Sequence, residues 1–283
     1  MKNVKVILWG LGAMGGGIGK MLTKKKGVDI VGAIDIGAKV GKSLYEVVPG
    51  IVKGDREDVI VGTPEEVIKP GVADIVVVCT NSFTKDVFDK LVFVMERGMN
   101  VITSAEEMAY PQAQEPELAK KLDEIAKKNG VSVMGTGINP GLIMDLLVVL
   151  WTAACEEVNH VTSRRVNSLS PFGPAVMEEQ GIGISVEEFN ERKANGTMAG
   201  HVGFAESTMM ICDALGWKWD DFGQDMEPIV TDVDRKSPYG FAAAGQVAGV
   251  AMKGWVNIDG ERKIDMDHPQ QITHKKNNST HHI

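Results

Sequence analysis

The sequence predicts an α/β protein: a doubly wound parallel sheet over residues 1–138, then an α+β part over residues 139–272. Three observations carry this reading. From residue 3 to 135, short β-rich runs alternate with helical segments in the rhythm of βαβ units. Most of these runs are continuously apolar rather than alternating, as expected of strands covered by helices on both faces. A glycine-spaced turn, Gly10-Leu-Gly12-Ala-Met-Gly15, stands between the first run and the first helical segment.

Taken in order, the expected strands are Val4–Trp9, Ile30–Ile34, Ile75–Cys79, Asn100–Thr103 and Val131–Met134, with helices over Ala13–Lys24, Thr84–Arg97 and Glu115–Lys128. The texture changes at Gly135-Thr-Gly-Ile-Asn-Pro-Gly141. Asn139 followed by Pro140 predicts a helix start, because asparagine caps free N–H groups and proline at the first helical position gives up no needed donor. That helix runs to about Cys155, is apolar on nearly all sides, and is expected to be buried. Asp145 inside it requires a partner. Further on, Val158–Asn167 reads as a strand, Val186–Ala194 and Phe204–Leu215 as helices, and Ala251–Ile258 with Arg262–Met266 as a hairpin turning at Asp259-Gly260. The polar stretch 273–283 is expected to be disordered.

Composition excludes several functions. The chain has 283 residues, 43% hydrophobic and 24% charged, the balance of a globular protein with a real core. Its net charge of −8 and lack of a basic stripe argue against nucleic acid or an anionic membrane as partner. The longest apolar run, Leu146 to Ala154, is far short of the roughly 20 residues that span a bilayer. The N-terminus lacks a signal peptide's apolar stretch and cleavage site, so the cytoplasm is the expected compartment. Cys79, Cys155 and Cys212 lie in apolar surroundings and read as buried thiols, and no Cys/His spacing suggests zinc.

The glycine turn follows a strand and opens a helix, the context that distinguishes the Rossmann dinucleotide fingerprint from a chance match. Gly10 permits the tight turn, Gly12 lets the backbone approach a pyrophosphate, and Gly15 lets helix pack on strand. With Ala13 and Met14, the start of the helix offers unpaired N–H groups and a positive dipole end to the phosphates. Asp35 ends the second strand twenty positions after Gly15, where it can accept from a ribose 2′-OH. An acid there favours NAD over NADP, while the nearby Lys39 softens the preference and leaves dual use open. Thr80 and Asn81, at the end of a later strand, are candidates for bonding the cofactor or for ordinary turn chemistry.

Four separated segments carry a family resemblance: Val101-Ile-Thr-Ser-Ala-Glu-Glu-Met-Ala-Tyr-Pro111, Gly135-Thr-Gly-Ile-Asn-Pro-Gly-Leu-Ile-Met-Asp-Leu-Leu147, Gly200-His-Val-Gly-Phe-Ala-Glu-Ser207 and His268-Pro-Gln-Gln-Ile272. Together they resemble the 2,4-diaminopentanoate dehydrogenase family and its native amine dehydrogenase relatives. The resemblance runs from residue 3 to about 272. It implies a dihydrodipicolinate reductase-like fold, a homodimer or higher homo-oligomer, and NAD(P)-dependent oxidative deamination of (2R,4S)-2,4-diaminopentanoate at C4. The products would be 2-amino-4-oxopentanoate and ammonia, a step of anaerobic ornithine breakdown. Dihydrodipicolinate reductases themselves carry a paired-His, Lys and Asp-Ala-Pro-Ser-Gly-Thr block. The stretch here, Val161-Thr-Ser-Arg-Arg-Val-Asn167, has no paired His, which counts against that reductase. Family chains continue past the last motif, so the polar ending reads as a truncated gene product or an altered end.

Amine oxidation requires positioning of the amine carbon, a neutral amine, and a base that helps water add to the iminium. A carboxylate serves the second and third needs and stabilises the cation. Glu106 and Glu107, just past a strand end, are the candidates, and the resemblance implies that a glutamate of this segment has that role. The alternative for both is a pair of solvated acids at a helix start. His201 is a candidate for substrate binding or proton relay, or a structural histidine. Asn139 is a candidate for bonding substrate as well as capping. Arg164 and Arg165 are candidates for clamping a substrate carboxylate, but adjacent strand residues point to opposite faces, so at most one does. Trp151, Trp217, Trp219 and Trp255 read as core or interface anchors. Two other readings are a reductase of the same architecture acting on another imine or carbonyl, and a catalytically silent NAD-binding regulator.

Overall fold

The computed structural model describes residues 2–198 and 200–273. Most of the polar tail anticipated as disordered therefore lies outside the described residues. Contacts between Cα atoms divide the chain into two compact units, Met1–Leu142 and Ile143–Ile283.

The first unit contains β1 (Val4–Trp9), α1 (Ala13–Leu22), β2 (Val28–Ile34), α2 (Leu44–Val47), β3 (Val61–Gly62), α3 (Pro64–Val67), β4 (Ile75–Val78), α4 (Thr84–Met95), β5 (Asn100–Thr103), α5 (Pro116–Asn129) and β6 (Val133–Gly135). Its strands form one six-stranded sheet in the order β3-β2-β1-β4-β5-β6, every pair parallel. Side chains alternate across this sheet, and both faces are covered. Ile7 and Trp9 of β1 join Val87, Leu91 and Leu122 from α4 and α5, whereas Val6 and Leu8 join Leu11, Leu44 and Val48 on the α1 and α2 side. That two-sided burial is the reason the strands read as continuous apolar runs. The short α2, β3 and α3 escaped the sequence reading, although Thr63 and Glu66 form a capping box that marks α3.

The second unit contains α6 (Leu146–Thr152), β7 (Val161–Arg164), β8 (Asn167–Ser168), α7 (Pro174–Glu179), α8 (Val186–Ala194), α9 (Phe204–Leu215), β9 (Asp221–Val230), β10 (Arg235–Lys236), β11 (Phe241–Ala242), β12 (Val247–Ile258) and β13 (Glu261–Gln271). Its main sheet runs β7-β13-β12-β9, with β8 also on β13. The long β12–β13 hairpin turns where expected, with Asp259 and Gly260 both at positive φ. Phe204 of α9 packs flat enough on β12 that a Cβ on Gly254 would lie 2.8 Å from its ring. The edge strand β9 was not anticipated. It contains Pro228, which an edge tolerates, and draws its order from pairing with β12.

Four expectations are corrected. No helix starts at Asn139: Gly141 at φ +116 turns the chain back against Gly137. The helix begins instead at Leu146, capped by Asp145, whose Oδ1 accepts from the Leu146 N–H and whose Oδ2 accepts from the Ser207 hydroxyl at 2.8 Å. Nor is that helix buried, since Trp151 is 77% exposed and Leu150 59%. Trp151 is accordingly not a core residue. The strand expected over Val158–Asn167 is broken into β7 and β8 at Arg165 and Val166, opposite His268 and Pro269. Of the three thiols only Cys212 is buried; Cys79 is intermediate, and Cys155 is exposed just past the end of α6.

Asp145 thus joins α6 to α9 through one fully buried carboxylate. Asp145→Ala removes the cap and strands Ser207, and should lower stability by about 1–2 kcal/mol. The denaturant midpoint reads this directly; an unchanged midpoint would remove the cap from the account.

Candidate functional site

Strand order in the parallel sheet reverses between β1 and β4, which go on to opposite sides. Such a switch point leaves a crevice at the carboxyl ends of the strands. A cleft of about 400 Å³ opens there. The turn after β1 contributes Gly10, Leu11 and Gly12, and the end of β2 contributes Asp35, Ile36 and Lys39. The end of β4 contributes Thr80 and Asn81.

The glycines have separable roles. Gly10 sits at φ +95, and a Cβ there would lie 2.5 Å from the Cys79 carbonyl oxygen. A Cβ on Gly15 would lie 1.8 Å from the Gly10 carbonyl oxygen, so only glycine lets α1 seat on its own strand. At Gly12 a Cβ would meet nothing within 4 Å, so this position is kept bare on the cleft side. No side chain caps α1 and no acid lies in its first turn, which leaves the positive helix end for an anion. Ala13 and Met14 stand in that first turn outside the cleft wall, Met14 with its side chain exposed.

Asp35 is held by three N–H groups. Oδ2 accepts from the Leu11 backbone at 2.8 Å and from Lys39 Nζ at 2.7 Å, and Oδ1 accepts from the Ile36 backbone at 2.7 Å. Burial works against the charged form, but Lys39 and the two backbone donors outweigh it and keep this carboxyl below its ordinary value. Lys39 also donates to the Leu11 carbonyl at 3.1 Å. Asn81 accepts from Lys90 at 2.9 Å, and Lys90 lines the cleft beside it. Lys90 and the exposed Ile36 were not anticipated. Nothing local distinguishes Lys90 from any other helical lysine, and only the packing of α4 brings it to Asn81.

Glu106 and Glu107 lie on a 3-10 turn over Glu106–Ala109. This turn packs so closely on β6 that a Cβ on Gly135 would meet the Met108 carbonyl oxygen at 1.9 Å. The two acids are not equivalent. Glu107 is buried, its Oε2 accepts from the Thr84 N–H at 2.8 Å, and its own N–H bonds the Ser82 carbonyl. It therefore caps α4 and anchors the loop that carries Thr80 and Asn81. Glu106 is half-buried, and among the described residues no hydrogen bond or ion pair holds its carboxylate. Asn139 follows β6 in the folded-back loop, half-buried.

In the second unit the paired arginines part as strand geometry requires. Arg164 is exposed and bonds Asp267 through Nε at 2.8 Å. Arg165 is half-buried and has no carboxylate within ion-pair distance among the described residues. Its Nη1 lies 3.5 Å from His268 Nε2, and burial lowers its affinity for the proton. His201 packs edge-on against His268 at 5.1 Å and Phe204 at 4.9 Å. Burial, with His268 and Arg165 nearby, pushes His201 down to about 3. Burial also brings His268 down to about 4, with the Arg165 charge adding to it and the Arg165 carbonyl and Asp267 opposing it. Both rings are therefore neutral near pH 7.

Fold and cleft define an NAD(P)-dependent oxidoreductase of the Rossmann class. A family model of the 2,4-diaminopentanoate dehydrogenase C-terminal domain matches residues 142–281. The 2,4-diaminopentanoate dehydrogenase of Acetoanaerobium sticklandii is 66% identical over 273 residues, 96% of this chain and 77% of that protein. This chain belongs to the 2,4-diaminopentanoate dehydrogenase family. Among solved structures, the amine dehydrogenase of Mycobacterium smegmatis superposes with a TM-score of 0.75 at 25% identity, covering 97% of this chain and 80% of that one. The WlbA dehydrogenase of Bordetella pertussis, in complex with NADH and UDP-GlcNAcA, shares the fold at a TM-score of 0.54 and 11% identity, covering 97% and 68%. No helix among the described residues is long and apolar enough to cross a membrane.

The depressed histidines set an acid limit. Unfolded imidazoles take up protons near pH 6.5, whereas the folded ones stay neutral to about 4 and about 3. The unfolded chain then binds more protons across this window, so stability falls as pH falls from 6.5 toward 4. Each ring adds a slope of up to about 1.4 kcal/mol per pH unit. Thermal midpoints at pH 7, 5.5 and 4.5 should decline less steeply in His201→Gln than in the parent; parallel declines would refute the assignment.

Proposed function

We propose that this chain catalyses the NAD(P)-dependent oxidative deamination of 2,4-diaminopentanoate, giving 2-amino-4-oxopentanoate and ammonia. The observation that carries this reading is its kinship with the Acetoanaerobium sticklandii enzyme. The switch-point cleft supports it, because its donor set suits a dinucleotide: bare backbone at Gly12, an uncompensated helix end at α1, and a carboxylate at Asp35. Gly10, Gly12 and the start of α1 at Ala13, Met14 and Gly15 would hold the pyrophosphate, and Asp35 a ribose 2′-OH. Thr80 and Asn81 would bond the nicotinamide half. Held there, an oxidised nicotinamide would supply the hydride acceptor for the amine-bearing carbon.

The chain's own groups account for the rest. Glu106, whose carboxylate is uncommitted, accepts a proton from the substrate ammonium so that the nitrogen lone pair assists hydride departure. Once that proton has passed to solvent, the regenerated carboxylate stabilises the iminium and then accepts a proton from the water that adds to it; returned to the nitrogen, this second proton lets ammonia leave. Glu107 is reserved to the α4 cap and acts through the loop it anchors. Arg165, rather than the ion-paired Arg164, takes the substrate carboxylate, and Asn139 supplies a further substrate hydrogen bond. A histidine with a pKa near 3 is poorly matched to proton transfer at neutral pH, so His201 serves as a neutral wall.

NAD is the favoured cofactor, because a 2′-phosphate would face Asp35. Lys39, already on that carboxylate, is the group that would permit NADP. The expected compartment is the cytoplasm, with which three unpaired thiols agree. A homodimer is the expected assembly, and the exposed apolar residues of α6 offer surface for it.

NADH formation with 2,4-diaminopentanoate, simple chiral amines and common amino acids tests the activity. Turnover confined to 2,4-diaminopentanoate is expected; NADH binding without turnover on any amine would favour a regulatory protein. Asp35→Ala should weaken NAD binding about tenfold or more while sparing NADP, and equal NAD affinities before and after would overturn the ribose assignment. Glu106→Gln should lower kcat by about 100-fold or more. Rates near the parent's would dispose of Glu106 as the base.

A further inference from the structure

The break between β7 and β8 has a chemical cause that bears on Arg165. Arg165 donates its N–H to the Asp267 carbonyl at 2.9 Å, so the parallel ladder with β13 is still intact on that side. In a parallel ladder the next bond returns from the residue two beyond, to the carbonyl of the same strand residue. Here that residue is Pro269, which has no N–H. The Arg165 carbonyl is not left bare, because His268 Nδ1 reaches it at 2.8 Å. A carbonyl oxygen only accepts, so Nδ1 carries the proton. In a neutral ring this leaves Nε2 as a lone-pair acceptor, and Nε2 faces Arg165 Nη1.

We propose that His268 is a positioning residue for the substrate carboxylate: its imidazole replaces the ladder donor that Pro269 lacks, which fixes its tautomer and turns an acceptor toward the Arg165 guanidinium. One side chain thus fastens both ends of the same arginine, backbone and head. The ring itself has little freedom: it is 1% exposed, and His201 buttresses it edge-on. The contrast with Arg164 explains why a neutral acceptor serves here. Arg164 has its charge answered by Asp267 and offers nothing to a ligand. A carboxylate at the place of His268 Nε2 would likewise satisfy Arg165, whereas a neutral nitrogen orients the guanidinium and leaves its charge for an incoming anion. This inference rests on the reading of Arg165 as the carboxylate clamp.

The test compares kcat/KM for 2,4-diaminopentanoate with that for its C1 carboxamide in the full-length protein. Loss of folded enzyme scales both alike and leaves the ratio unmoved. His268→Asn keeps a donor near the Arg165 carbonyl but no acceptor at the Nε2 position, and His268→Gln keeps an acceptor there. The acid-over-amide ratio should fall about tenfold or more in His268→Asn and be largely retained in His268→Gln. A ratio in His268→Asn equal to the parent's would overturn the proposal. Arg165→Ala separates the two levels. If it leaves the ratio unchanged, the clamp reading itself fails; if it lowers the ratio while both His268 variants do not, only the positioning role fails. Imidazole ¹⁵N shifts provide a readout independent of activity: a neutral His268 protonated at Nδ1 is expected at pH 7, and an Nε2-protonated ring would overturn the inference.

Discussion

The contact on which the first unit depends is the meeting of α1 with its own strand at Gly10 and Gly15. A Cβ at Gly15 would stand 1.8 Å from the Gly10 carbonyl oxygen, so the helix can start where it does only because that Cβ is absent. Three consequences follow from this close seat. The first turn of α1 points its free N–H groups over the carboxyl end of β1. The Leu11 N–H comes within 2.8 Å of Asp35, which ties the end of β2 to the same turn. And Gly10 comes against the Cys79 carbonyl, which brings the end of β4 and with it Thr80 and Asn81 into one cleft. A cavity assembled from three strand ends is thereby determined largely by two missing methyl groups.

A second theme is how each unit disposes of charge. In the first, a half-buried carboxylate is kept ionised by three N–H donors, one of them a lysine that shares its cation with a neighbouring carbonyl. Asp35 is thus preorganised, its two oxygens already met by these donors. In the second unit, burial keeps two histidines neutral beside a half-buried arginine, so the permanent charge of that cluster is positive. Neutral neighbours of this kind orient the guanidinium without quenching its charge.

The two glutamates show how one dipeptide divides its work. Adjacent in sequence and identical in chemistry, they differ because Glu107 lies over the start of α4 and Glu106 does not. The favourable interaction of an anion with a helix N-terminus draws one carboxylate into a structural bond and leaves the other unspent. Strand alternation partitions Arg164 and Arg165 in the same manner: the exposed face of β7 pairs Arg164 with Asp267, and the inner side brings Arg165 to His268.

Much of the first unit was legible because its signals are local. Apolar runs, helical stretches and the glycine turn each require only nearby residues, and β1, β5 and the start of α1 fall where the pattern puts them. Asp35 was legible for the same reason, as an acid at a set distance past a turn. The second unit was less so. Asn139-Pro140 has the local chemistry of a helix start, yet Gly141 at positive φ turns the chain back and hands the cap to Asp145, whose partner Ser207 is sixty-two positions away. The apolar run of α6 suggested burial, but burial depends on what lies opposite, which no run of residues encodes. Likewise β9 becomes a strand through pairing with β12, and Lys90 reaches the cleft through the packing of α4. The sequence by itself determined the doubly wound sheet, the dinucleotide turn, the long hairpin and the pool of candidate residues, since backbone propensity and periodicity act over a few positions. Only the tertiary structure decided which glutamate is spent on a cap, which arginine keeps an open charge, and that a histidine stands in for the donor a proline cannot supply. Those choices are made by partners distant in sequence, and hydrogen-bond satisfaction is a property of the folded whole.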